Sequence, residues 1–223
     1  MLSLADRGYR VAAPSVAVQD DWSIEAVAEV TAEAMAGVEA APAPVVGHSF
    51  GGVIGAHVTW LHTDFVTALV PVNAPLVSLG TLRLGRIVLP GPHYRVAAHR
   101  PAARALLRSA IAPGGIPSLL RSARWFLGKG HDAPLLDIAK TGIPRAVIWA
   151  ERDLMLPRAV GERSAELLAC EFVLVQNDED WPGPKPPDHD WPFRYPDHFA
   201  DTIIDVLGSV AVPRPIPGEG ATG

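Results

Sequence analysis

The sequence predicts an α/β fold, a mostly parallel sheet flanked by helices, and three observations carry that prediction. Short apolar runs alternate with stretches of helical periodicity, the order of β-α units rather than of a bundle or a sandwich. The run from Phe65 to Val72 carries Val66, Leu69, Val70 and Val72, a density that suits a strand covered on both faces. The chain has 223 residues, 48% hydrophobic and 19% charged, which is enough to bury one sizeable core and excludes a disordered chain.

Taken in order, the first run with strand character is Tyr9 to Ala13, stopped by Pro14. After the polar break Gln19-Asp20-Asp21, a helix is expected from Ser23 to Ala40. Ser23 suits its cap, and Ile24, Val27, Val30, Ala34 and Val38 form an apolar stripe. Pro42 and Pro44 end that helix and lead into the short strand Val45-Val46-Gly47. Phe50 to Leu61 is helical again, and the strand Phe65 to Val72 follows. The alternation then breaks. From Pro75 to Lys140 there are short Leu- and Arg-rich helical pieces punctuated by Pro90, Pro92, Pro101, Pro113 and Pro117, read as an inserted helical cap. The pattern resumes with a strand at Arg145 to Trp149, a helix at Pro157 to Leu168 and a strand at Glu171 to Val175. A Pro- and Asp-rich loop, Asn177 to Pro192, leads into a last helix from Pro196 to Leu207. The organisation read from these elements is 1–74 and 141–208 for the two parts of one core, 75–140 for the cap, and 209–223 for a disordered tail.

The formal net charge of −5 is unevenly spread. Leu76 to Lys140 holds ten Lys/Arg and two Asp/Glu, and the remainder holds nine against twenty-two. Arginines on solvated helix faces account for that stretch, with an anionic lipid surface as the alternative. The basic stretch has no reader motif and the whole chain is acidic, so no nucleic-acid partner is expected. Cys170 is the single cysteine, which excludes an intrachain disulfide and fits a reducing compartment. Met1 to Arg7 lacks the basic flank and apolar run of a signal peptide, and no stretch stays apolar long enough to span a bilayer. The expectation is a soluble cytoplasmic protein.

Chemistry concentrates at Val45-Val46-Gly47-His48-Ser49-Phe50-Gly51-Gly52, a strand, then Gly-x-Ser-x-Gly, then a helix. A serine on a sharp strand-to-helix turn projects above the sheet, and Gly47 and Gly51 leave room for strand and helix to approach. The Phe50 amide, at the helix N-terminus, then points at a substrate oxyanion.

This elbow resembles that of the α/β-hydrolases, and the resemblance extends from about Gly8 to Leu207. It implies the chain order nucleophile, acid, histidine. The segment Ala150-Glu151-Arg152-Asp153, ahead of Leu154-Met155-Leu156-Pro157, is similar to the family's Gly-x-x-Asp turn and implies Asp153 as the acid that orients the imidazole. Glu151 is the nearby rival at a position that faces away, and Asn73 holds a place where some relatives carry the acid. The stretch Asp188-His189-Asp190-Trp191-Pro192, followed by Tyr195-Pro196-Asp197-His198, resembles the family's histidine loop. It implies His189 as the base, with His198 as the alternative in the first turn of the terminal helix. His48 is expected to project away from Ser49, while His57 and His62 suit packing or exposure, and His93, His99 and His131 fall in the cap. Asp178, Glu179, Asp180, Asp188 and Asp190 do not match a Ca²⁺ loop, so neither metal nor cofactor is expected.

In the family a further strand, ending in a His-Gly or related loop that supplies a second oxyanion amide, lies between the Tyr9 strand and the nucleophile strand. Met1 to Gly8 does not match it, and Leu2 to Gly8 instead resembles the end of the following helix. The expectation is a start codon further upstream or, less in keeping with the surviving Ser-acid-His set, a degenerate fragment. The function implied is hydrolysis of an ester or related acyl bond through an acyl-Ser49 intermediate. Carbon–carbon bond hydrolysis and cofactor-free perhydrolysis share this chemistry, and a non-catalytic binding protein is the reading from another class. Cap residues Leu82, Leu84, Ile87, Leu106, Leu107, Trp125 and Phe126 suggest an apolar pocket, or the packing of the cap onto the core, and the partner expected is a small molecule with an apolar acyl group.

Overall fold

A computed structural model describes residues 2–14, 23–78, 116–117, 120, 124–125 and 132–210. Four parallel strands, β1 (Ala43–His48), β2 (Val66–Val72), β3 (Ala146–Ala150) and β4 (Glu171–Val175), form one sheet in that order. Their helices are α1 (Leu2–Ala5), α2 (Ile24–Gly37), α3 (Phe50–Leu61), α4 (Asp132–Ala139), α5 (Arg158–Leu168), α6 (Trp191–Arg194) and α7 (Pro196–Val210).

Strand alternation divides the core. Leu69 on β2 and Val147 and Trp149 on β3 face one way, into a cluster with Ile24 and Val27 of α2, Val53 and Ala56 of α3, Leu135 and Ile138 of α4 and Val160 of α5. Val70, Val72, Ala146, Ile148 and Ala150 face the other way, against Trp181, Trp191, Ile203 and Val206. Both faces are covered, so β3 is buried along its whole length. Ser23 caps α2 by accepting from the Ala26 amide at 3.1 Å. Arg7, just after α1, pairs with Asp201 and Asp197 of α7, tying the first described helix to the last.

The elements from Ser23 to Val175 lie within a residue or two of the sequence reading outside the cap, except that α2 ends at Gly37, three residues before Ala40. The segment Tyr9 to Ala13 does not: it is irregular and exposed, not a strand. A strand is defined by ladder hydrogen bonds to a neighbour, and the apolar alternation of Tyr9 and Val11 cannot supply one. Among the described strands β1 pairs with β2 alone. Of the stretch read as a cap, only a few residues before α4 fall within the description. There Trp125 packs against the core cluster, its ring 5.8 Å from that of His57. Leu82, Leu84, Ile87, His93, His99, Leu106, Leu107, Phe126 and His131, and the tail from residue 211, lie outside the described residues. Among the described residues no helix is long and apolar enough to cross a membrane.

The sheet edge formed by the C-terminal ends of the strands positions the site. In a parallel sheet every strand delivers its following loop to the same edge, where ligands bind in open α/β folds. Backbone bonds continue the ladder one residue past each strand: Ser49 N–H donates to Val72 O, Asn73 N–H to Ile148 O and Glu151 N–H to Val175 O, each at 2.9 Å. Those bonds fix the height at which each loop leaves the sheet.

Candidate active site

Ser49 sits between β1 and α3 with φ 54° and ψ −124°, a conformation that a non-glycine residue adopts at a cost. Its neighbours explain why the turn can be so tight. A Cβ on Gly47 would collide with the backbone of Gly51 and Gly52. One on Gly52 would collide with the Ala74 side chain and lie 2.7 Å from Gly47 O. Gly51 differs from expectation, because a Cβ there would meet nothing within 4 Å. The second crowded glycine of the elbow is therefore Gly52, one residue later than the motif suggests. The room at Gly51 is needed by Gly47, whose Cβ position its backbone oxygen occupies.

The structure brings Ser49, His189 and Asp153 together from three loops. His189 Nε2 lies 3.0 Å from Ser49 Oγ, and His189 Nδ1 lies 2.8 Å from Asp153 Oδ2. The carboxylate only accepts, so Nδ1 carries the proton and Nε2 is left as acceptor for the serine hydroxyl. The His189 and Asp153 side chains are 4% and 1% exposed. A carboxylate so enclosed needs every acceptor position filled. Asp153 Oδ1 accepts from the amides of Met155 at 2.9 Å and Leu156 at 2.8 Å, so one oxygen holds the turn and the other holds the imidazole. Phe50, the first residue of α3, places its amide at the N-terminal end of that helix.

The rivals take other work. Glu151 is exposed and accepts from Asn177 N–H at 3.1 Å. Asn73 is fully buried in a left-handed conformation (φ 47°), and its side-chain oxygen accepts from Ala150 N–H at 2.9 Å, bracing the ends of β2 and β3. His198 packs edge-on against Trp181 and Trp191. His57 donates from Nδ1 to Val53 O within α3, and exposed His62 meets Glu29. The acidic loop residue Asp188 is occupied by Arg194 and by the Asp190 amide.

His48 has a partner that the sequence reading did not assign. Its ring reaches the loop that carries His189, with Nε2 2.7 Å from the His189 carbonyl oxygen. Spacing rules between residue types gave no signal for a side-chain-to-backbone bond across 141 positions. The signal that could have found it is the place of His48 at the end of β1, on the edge where the histidine loop must arrive.

The fold of the chain is shared with solved structures. The meta-cleavage product hydrolase of Pseudomonas fluorescens superposes with a TM-score of 0.61 at 17% identity, over 85% of this chain and 73% of that one. The fold is that of the α/β hydrolases. The enol-lactonase of Burkholderia xenovorans (TM-score 0.58, 18% identity) shares it over 84% of this chain and 74% of its own. A carboxylesterase structure from Nitrososphaera gargenis (0.61, 12%) shares it over 86% and 74%. No protein-family model and no curated protein sequence matches the chain. Ser49 and Asp153 follow β1 and β3, and the loop after β4 brings His189 to the same edge, where open α/β folds bind ligands.

Proposed function

We propose that this chain is a serine hydrolase that cleaves an ester or related acyl bond through a covalent acyl-Ser49 intermediate. The observation that carries the reading is the unbroken hydrogen-bonded line Ser49 Oγ to His189 Nε2 and His189 Nδ1 to Asp153 Oδ2. Ser49 Oγ attacks the acyl carbon while its proton passes to His189 Nε2. Asp153 stabilises the imidazolium and fixes its orientation. The Phe50 amide, backed by the N-terminus of α3, donates to the oxyanion. The imidazolium returns its proton to the leaving group, and the acyl chain stays on Ser49. His189 then takes a proton from water, which attacks the acyl carbon and releases the acid and free Ser49.

The solved structures of like fold support the reaction class, since they include a meta-cleavage product hydrolase, an enol-lactonase and carboxylesterases. Exposed Leu154 and Phe193, next to the acid and base loops, favour a small apolar acyl substrate at this edge. The mechanism needs neither metal nor cofactor for any step. Trapping the intermediate tests the reading. Acid quenching during turnover of p-nitrophenyl acetate is expected to leave one acetyl group on the peptide that carries Ser49, with a burst of p-nitrophenol. Turnover without acylated Ser49 would rule out the covalent route.

A further inference from the structure

His48 closes β1 one residue before Ser49, and its Nε2 lies 2.7 Å from the carbonyl oxygen of His189. A carbonyl only accepts, so Nε2 carries the proton and donates. Two rings hold the imidazole in place: His189, 4.8 Å between centroids, and Phe193, 5.2 Å away and edge-on. The loop from Gln176 to Asp190 carries His189 across the catalytic edge with no helix or strand of its own. Other backbone and side-chain ties join it to the acid turn, to α6 and to itself. Pro187 O accepts from Arg152 N–H, Asp188 pairs with Arg194, and Asp190 N–H donates back to Asp188. The His48 bond runs from the backbone of His189 to the strand that carries the nucleophile.

We propose that His48 is a positioning residue of this site, whose Nε2–H holds the His189 carbonyl and so sets the reach of the His189 imidazole to Ser49 Oγ. The proposal rests on the hydrolase reading. Histidine suits the task better than a permanent cation. Burial holds its pKa down at about 4, with the neighbouring His189 pushing the same way, while the His189 carbonyl and the Asp190 and Asp153 carboxylates push back. At pH 7 it is therefore a neutral donor, and adds no positive charge beside an imidazole that must become cationic during acyl transfer.

Three variants test this. His48→Phe keeps a ring but loses the donor, His48→Asn keeps an amide too short to reach the carbonyl, and His48→Gln keeps a donor of the right reach. Fluorophosphonate labelling rate and kcat for p-nitrophenyl acetate are expected to fall about 10–100-fold in H48F and H48N, with KM within about twofold, the size of loss that a misplaced catalytic group produces. H48Q is expected to recover most of that loss, to within about threefold of the parent, because one neutral hydrogen bond replaces another. Nitrogen-15 histidine spectra should show His48 as the neutral Nε2–H tautomer at pH 7. H48F or H48N reacting at the parent rate, H48Q falling as far as they do, or a Nδ1–H tautomer would each overturn the proposal. If the parent protein takes no label at all, the hydrolase reading fails on its own. The tautomer, read without any turnover, still decides whether His48 holds the carbonyl.

Discussion

The elbow and the histidine loop meet at Ser49 Oγ and His189 Nε2, 3.0 Å apart, yet they are built in opposite ways. The elbow is mainly local: Gly47, Ser49 and Gly52 lie within six residues, and a Cβ on Gly47 or Gly52 meets backbone a few positions away, with Ala74 also closing on Gly52. The histidine loop is held from a distance, by Arg152 beyond β3 and by His48 at the end of β1. The locally built element has no room for a Cβ at Gly47 or Gly52. A remotely tied one tolerates many sequences but fails when a tie is cut.

Among the ties of the histidine, the largest expected effect comes from cutting the one to the acid. Asp153→Asn removes the acceptor that fixes the His189 tautomer, and kcat is expected to fall about 10⁴-fold with the fold intact by circular dichroism. Glu151→Gln, on the exposed side of the same turn, is the control and should stay within about threefold, since its bond to Asn177 N–H is an exposed one. Equal losses in both would show that the turn, and not the Asp153–His189 bond, carries the effect.

The elbow is tested by its glycines. Gly47→Ala drives a Cβ into the Gly51 backbone and is expected to lower stability by about 3 kcal/mol, the upper range for overpacking that only a backbone shift can relieve. Gly51→Ala places its methyl in open space on α3 and should be neutral or stabilising by up to about 1 kcal/mol, as for a glycine replaced inside a helix. Urea unfolding midpoints separate the two, and similar midpoints would contradict the account of the turn.

The remaining prediction concerns pH. The pKa of His48 is about 4 in the folded protein against an ordinary 6.5, so the unfolded chain binds the proton more tightly. Stability from this residue is complete above pH 6.5 and is lost as pH falls toward 4, on the order of 3 kcal/mol at the lower end. Thermal unfolding of the parent chain and of H48Q should therefore diverge in acid, with H48Q losing less. Parallel curves between pH 7 and 4 would show that His48 takes up its proton without cost.

Legibility in the sequence follows the same division. The elbow turn and the four strands could be read because each rests on periodicity or on a short local pattern, whereas Asp153 and His189 were expected only through the resemblance of the turns that carry them. The Tyr9 segment misled because an apolar run reports burial tendency, whereas a strand also needs a neighbour to bond. Gly51 and Gly52 were interchanged because a motif gives spacing but not which Cβ direction is blocked. The His48 bond was not legible because its partner is a backbone carbonyl, and every residue presents one.

The most direct test is the reactivity of Ser49 itself. A fluorophosphonate probe should label the parent chain at one site, and Ser49→Ala should abolish labelling while leaving unfolding cooperative. Removing a lone serine hydroxyl from a site of this kind is expected to reduce kcat by about 10⁶-fold. A folded parent chain that takes no label, or a Ser49→Ala variant that labels at the same rate, would contradict the assignment of Ser49 as an activated nucleophile.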